Sequence, residues 1–131
     1  MPASTYLANA IYNHVYRNTA YTSPATVYAA LFTSSSSLAA LKAGTLTNEV
    51  SGGSYARVAV TFAAPTDGDG SAGTTTFTTA TAGWGTVRFV AIIDASTSGN
   101  VLSFAQLTSD VTINNGNTFQ FNSASLAATV D

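Results

Sequence analysis

A chain of 131 residues is long enough for one well-buried core and too short for two. Apolar residues make up 46% and charged residues only 8%, against about 25% in an ordinary globular protein, and 15 serines with 21 threonines fill the difference. This composition excludes a wholly disordered chain, and a net charge of −2 with four scattered bases, Arg17, Lys42, Arg57 and Arg88, excludes a nucleic-acid partner, which needs clustered cations to displace counterions.

Cysteine is absent, so disulfide frameworks, thiolate metal sites and cysteine nucleophiles are removed together. No apolar window approaches the roughly 18 residues of a membrane span, and no basic segment leads an apolar run at the start. A soluble product made in the cytoplasm, with no membrane partner, is the expectation.

In chain order, Ser4 or Thr5 can cap a first helix over residues 5–17, because Leu7, Ile11 and Val15 recur at i+4 with Ala8, Tyr12 and Tyr16 beside them. Residues 18–25 are a loop around Ser23-Pro24. From Thr26 the chain turns β-rich and stays so to residue 130. Thr26–Thr33 is apolar on both alternating faces, as an inner strand requires. Leu38–Ala43, ended by Gly44, predicts a short helix. Ser51-Gly52-Gly53-Ser54 predicts a tight turn between a β segment at Glu49-Val50 and a strand over Tyr55–Phe62, where Ala56, Val58, Val60 and Phe62 share one face. Residues 63–73, with Asp67-Gly68-Asp69-Gly70, predict an exposed loop tip. Thr74–Thr81 is a threonine-rich strand around Phe77.

Gly83–Asp94 holds the only tryptophan and the longest β-branched and aromatic run, so it predicts a strand buried on both faces, with a sheet on each side. Val101–Leu107, Val111–Ile113 and Thr118–Phe121 are further strands, the last two joined by a hairpin turn at Asn114-Asn115-Gly116-Asn117. Ser125–Val130 closes the sheet. Short strands at 8–12-residue intervals predict a mainly β chain: a single-domain antiparallel β-sandwich or jelly roll with an N-terminal helix.

No pattern in the chain points to catalysis, a cofactor or a metal. His14 is the only histidine and has no second ligand at helical spacing, so surface or partly buried hydrogen bonding is expected of it. Asp67 and Asp69 lack the third oxygen position and distal glutamate of a calcium loop. Glu49, Asp94 and Asp110 are candidates for a carboxylate pair, but nothing in the sequence brings two of them together, and Asp94 and Asp110 read as ordinary turn positions. The threonine run at 74–79 does not repeat, which argues against a lattice-matching array. Candidate interface residues are Tyr6, Tyr12, Tyr16 and Tyr21, which with Tyr28 crowd the first 28 residues, together with Arg57 and Arg88. A helix lying on its own sandwich is the alternative for the tyrosines. Arg88, inside the buried strand, needs a carboxylate such as Glu49 or Asp94, or a subunit boundary.

Three stretches carry a likeness to a known family: Leu7–Val15 running through Pro24–Thr33, then Glu49-Val50-Ser51-Gly52-Gly53-Ser54-Tyr55-Ala56-Arg57, then Trp84-Gly85-Thr86-Val87 through Asp94-Ala95. Together they resemble the short virion proteins of tailed bacteriophages that carry a tail-fibre-like label and have relatives among capsid decoration or cement proteins. The resemblance implies a structural, non-enzymatic component of the virion. It most readily implies a homo-oligomer, such as a trimer, that binds the major capsid protein and stabilises the head shell by bridging its subunits. The alternative it implies is a tail-associated, fibre- or adhesin-like module contacting other tail proteins or a host surface glycan.

Overall fold

The structure is a computed structural model and describes residues 1–129. In chain order the elements are α1 (Thr5–Tyr16), β1 (Val27–Thr33), α2 (Leu38–Ala43), β2 (Val58–Val60), β3 (Asp69–Ser71), β4 (Thr75–Thr76), β5 (Gly85–Ile93), β6 (Val101–Ile113), β7 (Gln120–Phe121) and β8 (Ala127–Thr129). One antiparallel sheet has the order β2-β1-β5-β6, and β3-β8 and β4-β7 form two antiparallel ribbons beside it. The chain is thus mainly β and antiparallel with one N-terminal helix.

The alternation of side chains along a strand decides how the main sheet is covered. Ala29 and Leu31 of β1 share a face with Val87, Val90 and Ile92 of β5, and that face packs under Ala72, Phe77, Ala80, Trp84, Phe121 and Leu126 from the ribbons and their connections. Ala30 and Phe32 share the other face with Phe89, Ala91 and Ile93, and there the cover is Leu41 of α2 with Leu46 at the rim. The predicted double burial of β5 holds, but its second cover is a helix and not a sheet. Leu41 is the one buried residue of α2. Six residues make a marginal helix by themselves, so capping matters: the Ser37 side chain accepts from the Ala40 N–H at 3.0 Å, and Gly44 closes the end at φ +90°, the left-handed region that glycine enters without penalty.

The N-terminal segment secures the free edge of β6. Ala3 bridges Ser103 and the Ser4 N–H donates to the Leu102 carbonyl at 2.8 Å. The fully buried Ser4 hydroxyl donates to the Val101 carbonyl and accepts from the Leu7 N–H at 3.1 Å, so one residue covers a sheet edge and caps α1. A second fixed point joins the two glycine-rich stretches. The Trp84 Nε1–H donates to the Gly53 carbonyl at 2.9 Å, and a Cβ at Gly53, where φ is +56°, would lie 2.7 Å from the Ala82 carbonyl oxygen. Only glycine fits there.

Several boundaries depart from the sequence pattern. Of the predicted strand 55–62 only β2 is extended, and it pairs with β1; Glu49 bridges Phe32 instead of pairing across the glycine turn with residues 55–62. Thr74–Thr81 shrinks to β4. Val101–Leu107 and Val111–Ile113 are one strand, β6, interrupted by an excursion: between the pairs Phe89↔Gln106 and Val87↔Val111, Arg88 alone faces Leu107 to Asp110. The Asn114–Asn117 turn forms, with the Asn114 N–H donating to Asn117 Oδ1 at 2.7 Å, but β7 leaves it to pair with β4 and not with β6. The predicted loop tip at 63–73 contains β3, which pairs with β8. The predicted closing strand thus ends a ribbon and not the main sheet; its Val130 lies outside the described residues.

Because Leu41 alone ties α2 to the core, Leu41→Ala is expected to lower the unfolding free energy by about 2–5 kcal/mol. Urea titration would show this as a fall in midpoint with an unchanged slope; an unaltered midpoint would mean that α2 does not seal that face.

Candidate interface

Helix α1 carries the tyrosines that the sequence singles out, and no residue along it is buried. Leu7, Ala10, Ile11 and Asn13 are half-buried, while Tyr12, Val15 and Tyr16 are 57%, 64% and 75% exposed. Val15, third in the i+4 row with Leu7 and Ile11, therefore stands away from the body. The chain then reverses at Asn18, whose φ of +53° is tolerated better by asparagine than by most residues, and returns along the helix. The Thr19 N–H donates to the Asn13 carbonyl at 2.9 Å, and the Tyr21 N–H donates to His14 Nδ1 at 3.1 Å. His14 thus holds the return segment by hydrogen bonding, as a lone histidine commonly does.

The four tyrosines fall into two pairs. Tyr6 and Tyr21 meet edge to face at 6.5 Å between ring centroids. Burial, with the nearby Tyr6 and Asp94 oxygens behind it, raises the Tyr21 hydroxyl above its ordinary value. Tyr12 and Tyr16, one helical turn apart, lie 5.1 Å apart on the open side.

The two arginines lie elsewhere and differ in kind. Arg57 is inside the protein: its Nε and Nη2 donate to the two Glu49 carboxylate oxygens at 2.8 and 2.7 Å, and its Nη1 donates to the Ala95 and Ser98 carbonyls, both at 2.8 Å. The pair's side chains are 5% and 17% exposed. Tyr55 completes the group, its hydroxyl donating to Glu49 at 2.8 Å and accepting from the Leu31 N–H at 2.9 Å. The bidentate hydrogen bonds to Glu49 raise Arg57 further above its ordinary range, and burial beside the Glu49 charge pushes the Tyr55 hydroxyl well above its own. With the two charges paired and four of the five guanidinium N–H donors used, this group ties Ala95 and Ser98 to Glu49 and, through Tyr55, to β1. Ser51, Ser96, Thr97 and Ser98 line an open depression over it.

Arg88 finds neither Glu49 nor Asp94. Its side chain projects from the β5 excursion point to Asp110, donating through Nε at 2.9 Å and Nη2 at 2.7 Å, with both side chains more than a third exposed. Those hydrogen bonds hold the Asp110 carboxyl below its usual range. Asp94 instead closes its own turn, accepting from the Asn100 N–H at 2.7 Å. Among the described residues no three acidic, histidine or cysteine side chains gather as a metal site would require, and no helix is long and apolar enough to cross a membrane.

What the geometry offers is contact. Among the described residues the large exposed apolar side chains are Tyr6, Tyr12, Val15, Tyr16 and Leu38, all on α1 or at the start of α2, which touches α1. Neither Val15 nor Leu38 was among the interface candidates of the sequence. Comparison with known proteins assigns the chain at this point: residues 2–129 match the family described as Podophage GP4 fiber I protein gp80, and the chain belongs to that family. It is accordingly a structural protein of the phage virion, related to fibres. No curated protein matches it.

The contrast between the arginines is measurable. Arg57→Met leaves the Glu49 charge enclosed and uncompensated and is expected to cost about 3–5 kcal/mol, whereas Arg88→Met, at an exposed pair, is expected to leave the denaturation midpoint unchanged. Equal midpoints for the two variants in chemical denaturation would contradict the assignment.

Proposed function

Taking membership of that fibre family as the premise, we propose that this protein is a subunit of a tail-associated fibre of a short-tailed phage, acting by fitting against neighbouring virion proteins and not by chemistry. The family match across residues 2–129 carries the reading. A charge-poor surface rich in hydroxyls supports it, since association of such a surface is short-range and little steered by salt-sensitive fields. The loop stretches 63–73, 94–100 and 114–117 hold no aromatic residue to stack on a sugar ring, so the partner we favour is another tail protein and not a host glycan.

A head-decorating role, with the major capsid protein as partner, is the second reading, and one observation favours it. Among the described residues no element forms a shaft: α1 spans about 18 Å and the strands gather as one four-stranded sheet with two ribbons beside it. A unit of that shape can sit on a shell as readily as on a fibre base, and a ligand that binds only the assembled shell stabilises it by mass action.

Electron microscopy of intact particles, with an antibody or fusion marking this chain, separates the two. We expect the label at the tail, and particles lacking the protein should retain the heat stability of their heads. Label spread over the head at capsid symmetry, with heads that open at lower temperature in its absence, would overturn the fibre reading.

A further inference from the structure

Helix α1 and the segment that returns along it enclose a cavity of about 310 Å³, at the small end of the range of ligand sites. Tyr6, Asn9, Ala10 and Asn13 share one side of the helix and form one wall; Thr19, Ala20 and Tyr21 form the other. The walls are tied together, the Thr19 N–H to the Asn13 carbonyl and the Tyr21 N–H to His14, so the space exists before any ligand enters it. Its depth comes from the two alanines, and every residue that lines it is uncharged.

Aromatic faces and two-way hydrogen-bonding groups meet in this cavity. The Tyr6 and Tyr21 rings stand edge to face with centroids 6.5 Å apart. The Asn9 and Asn13 carboxamides each carry donors and an acceptor, and the tyrosine and Thr19 hydroxyls donate and accept alike. Asn13 Oδ1 accepts from the Arg17 guanidinium at 3.1 Å. Among the described residues, no protein group bonds the Asn9 carboxamide, the Asn13 Nδ2 or either tyrosine hydroxyl.

From this we propose that the cavity is a binding site for a neutral saccharide unit. A sugar ring has a face of C–H bonds, which suits a tyrosine ring, and a rim of hydroxyls that both donate and accept, which suits carboxamides. A phosphate or carboxylate ligand would need a cation in the lining and finds none. A peptide offers one backbone donor and one acceptor per residue, a sparser set than these walls engage. Size agrees, since Tyr6 to Asn13 rises only about 10 Å along the axis. With no carboxylate in the lining, the site holds a sugar without cleaving it. It lies apart from the three loops that lack aromatic residues, and it leaves the partner of the assembled subunit as proposed above. The inference goes beyond the fibre reading and is tested apart from it, because sugar binding is a property of the purified chain wherever the virion carries it.

Amide NMR spectra of the isotopically labelled protein test the site. The probes are glucose, galactose, mannose, rhamnose and N-acetylglucosamine, each alone, and then polysaccharide extracted from the surface of the host bacterium. At least one should saturably shift the side-chain amide signals of Asn9 and Asn13 and the backbone signals of Ala20 and Tyr21, with dissociation in the millimolar range expected of so small a ligand. Asn9→Ala, at an exposed helix position, should weaken that binding at least tenfold, and Ala20→Trp, which fills the cavity, should abolish it, both with wild-type melting. Tyr12→Ala, outside the cavity, should bind as wild type does. Polysaccharide that binds at least tenfold more tightly than its own monosaccharides identifies a surface glycan as the source, and equal affinity identifies a free sugar; either supports the site. No saturable shift with any of these probes, shifts confined to other residues, or Asn9→Ala protein that binds as tightly as wild type would overturn it. So would a proline-rich peptide that shifts the same signals where no sugar does.

Discussion

Strand β5 is hydrogen-bonded to β1 on one side and to β6 on the other while both of its faces are buried, so every remaining element is placed by what it must cover. Burial of Val87, Phe89, Val90, Ile92 and Ile93 is worth roughly 1.5–3 kcal/mol each, large beside a net stability of about 5–15 kcal/mol. One face recruits the ribbons and Trp84, and the other recruits α2 through Leu41. The enclosed Arg57–Glu49–Tyr55 group then fixes the two long connections that a sheet of this order leaves at its end.

Helix α1 stands outside that scheme. It is attached through Ser4, which belongs to the sheet edge, and through Leu7 and Ile11, while its C-terminal half presents tyrosines and a valine to solvent. No residue of α1 is fully buried, and only Leu7 reaches the core cluster. The division between a self-sufficient sheet and an outlying apolar helix suits a subunit whose task is to join others, which is what membership of a phage fibre family leads one to expect. The surface chemistry agrees with the architecture, being rich in hydroxyls and poor in charge.

How legible each part was in the sequence depended on whether its signal was local. Helix α2 was readable to the residue because Ser37, the apolar run and Gly44 are contiguous, and β5 was readable because an unbroken β-branched run has few alternatives. The partner of Arg88 was not readable. A plain hairpin continued from Ala91↔Phe104 would set Arg88 near Leu107, and it is the excursion from Leu107 to Asp110 that delivers the carboxylate. The pairing of β7 with β4 was hidden for the same reason, since the Asn-Gly turn specifies a reversal and not the strand that the returning chain joins. The exposure of Val15 was not readable, because an i+4 row drifts around a helix, and by its third member the row of Leu7, Ile11 and Val15 has left the body. The Glu49–Arg57 pair joins two stretches already noted for other reasons, a turn and a strand, and nothing local in either announces the ion pair.

Amide hydrogen exchange tests the division of labour most directly, because it reads the core and the helix in one experiment. Amides of Val90 to Ile93 are expected to exchange only through global unfolding, while amides of Ala10 to Tyr16 exchange far faster, by local opening of α1. Protection of α1 equal to that of β5 would contradict it.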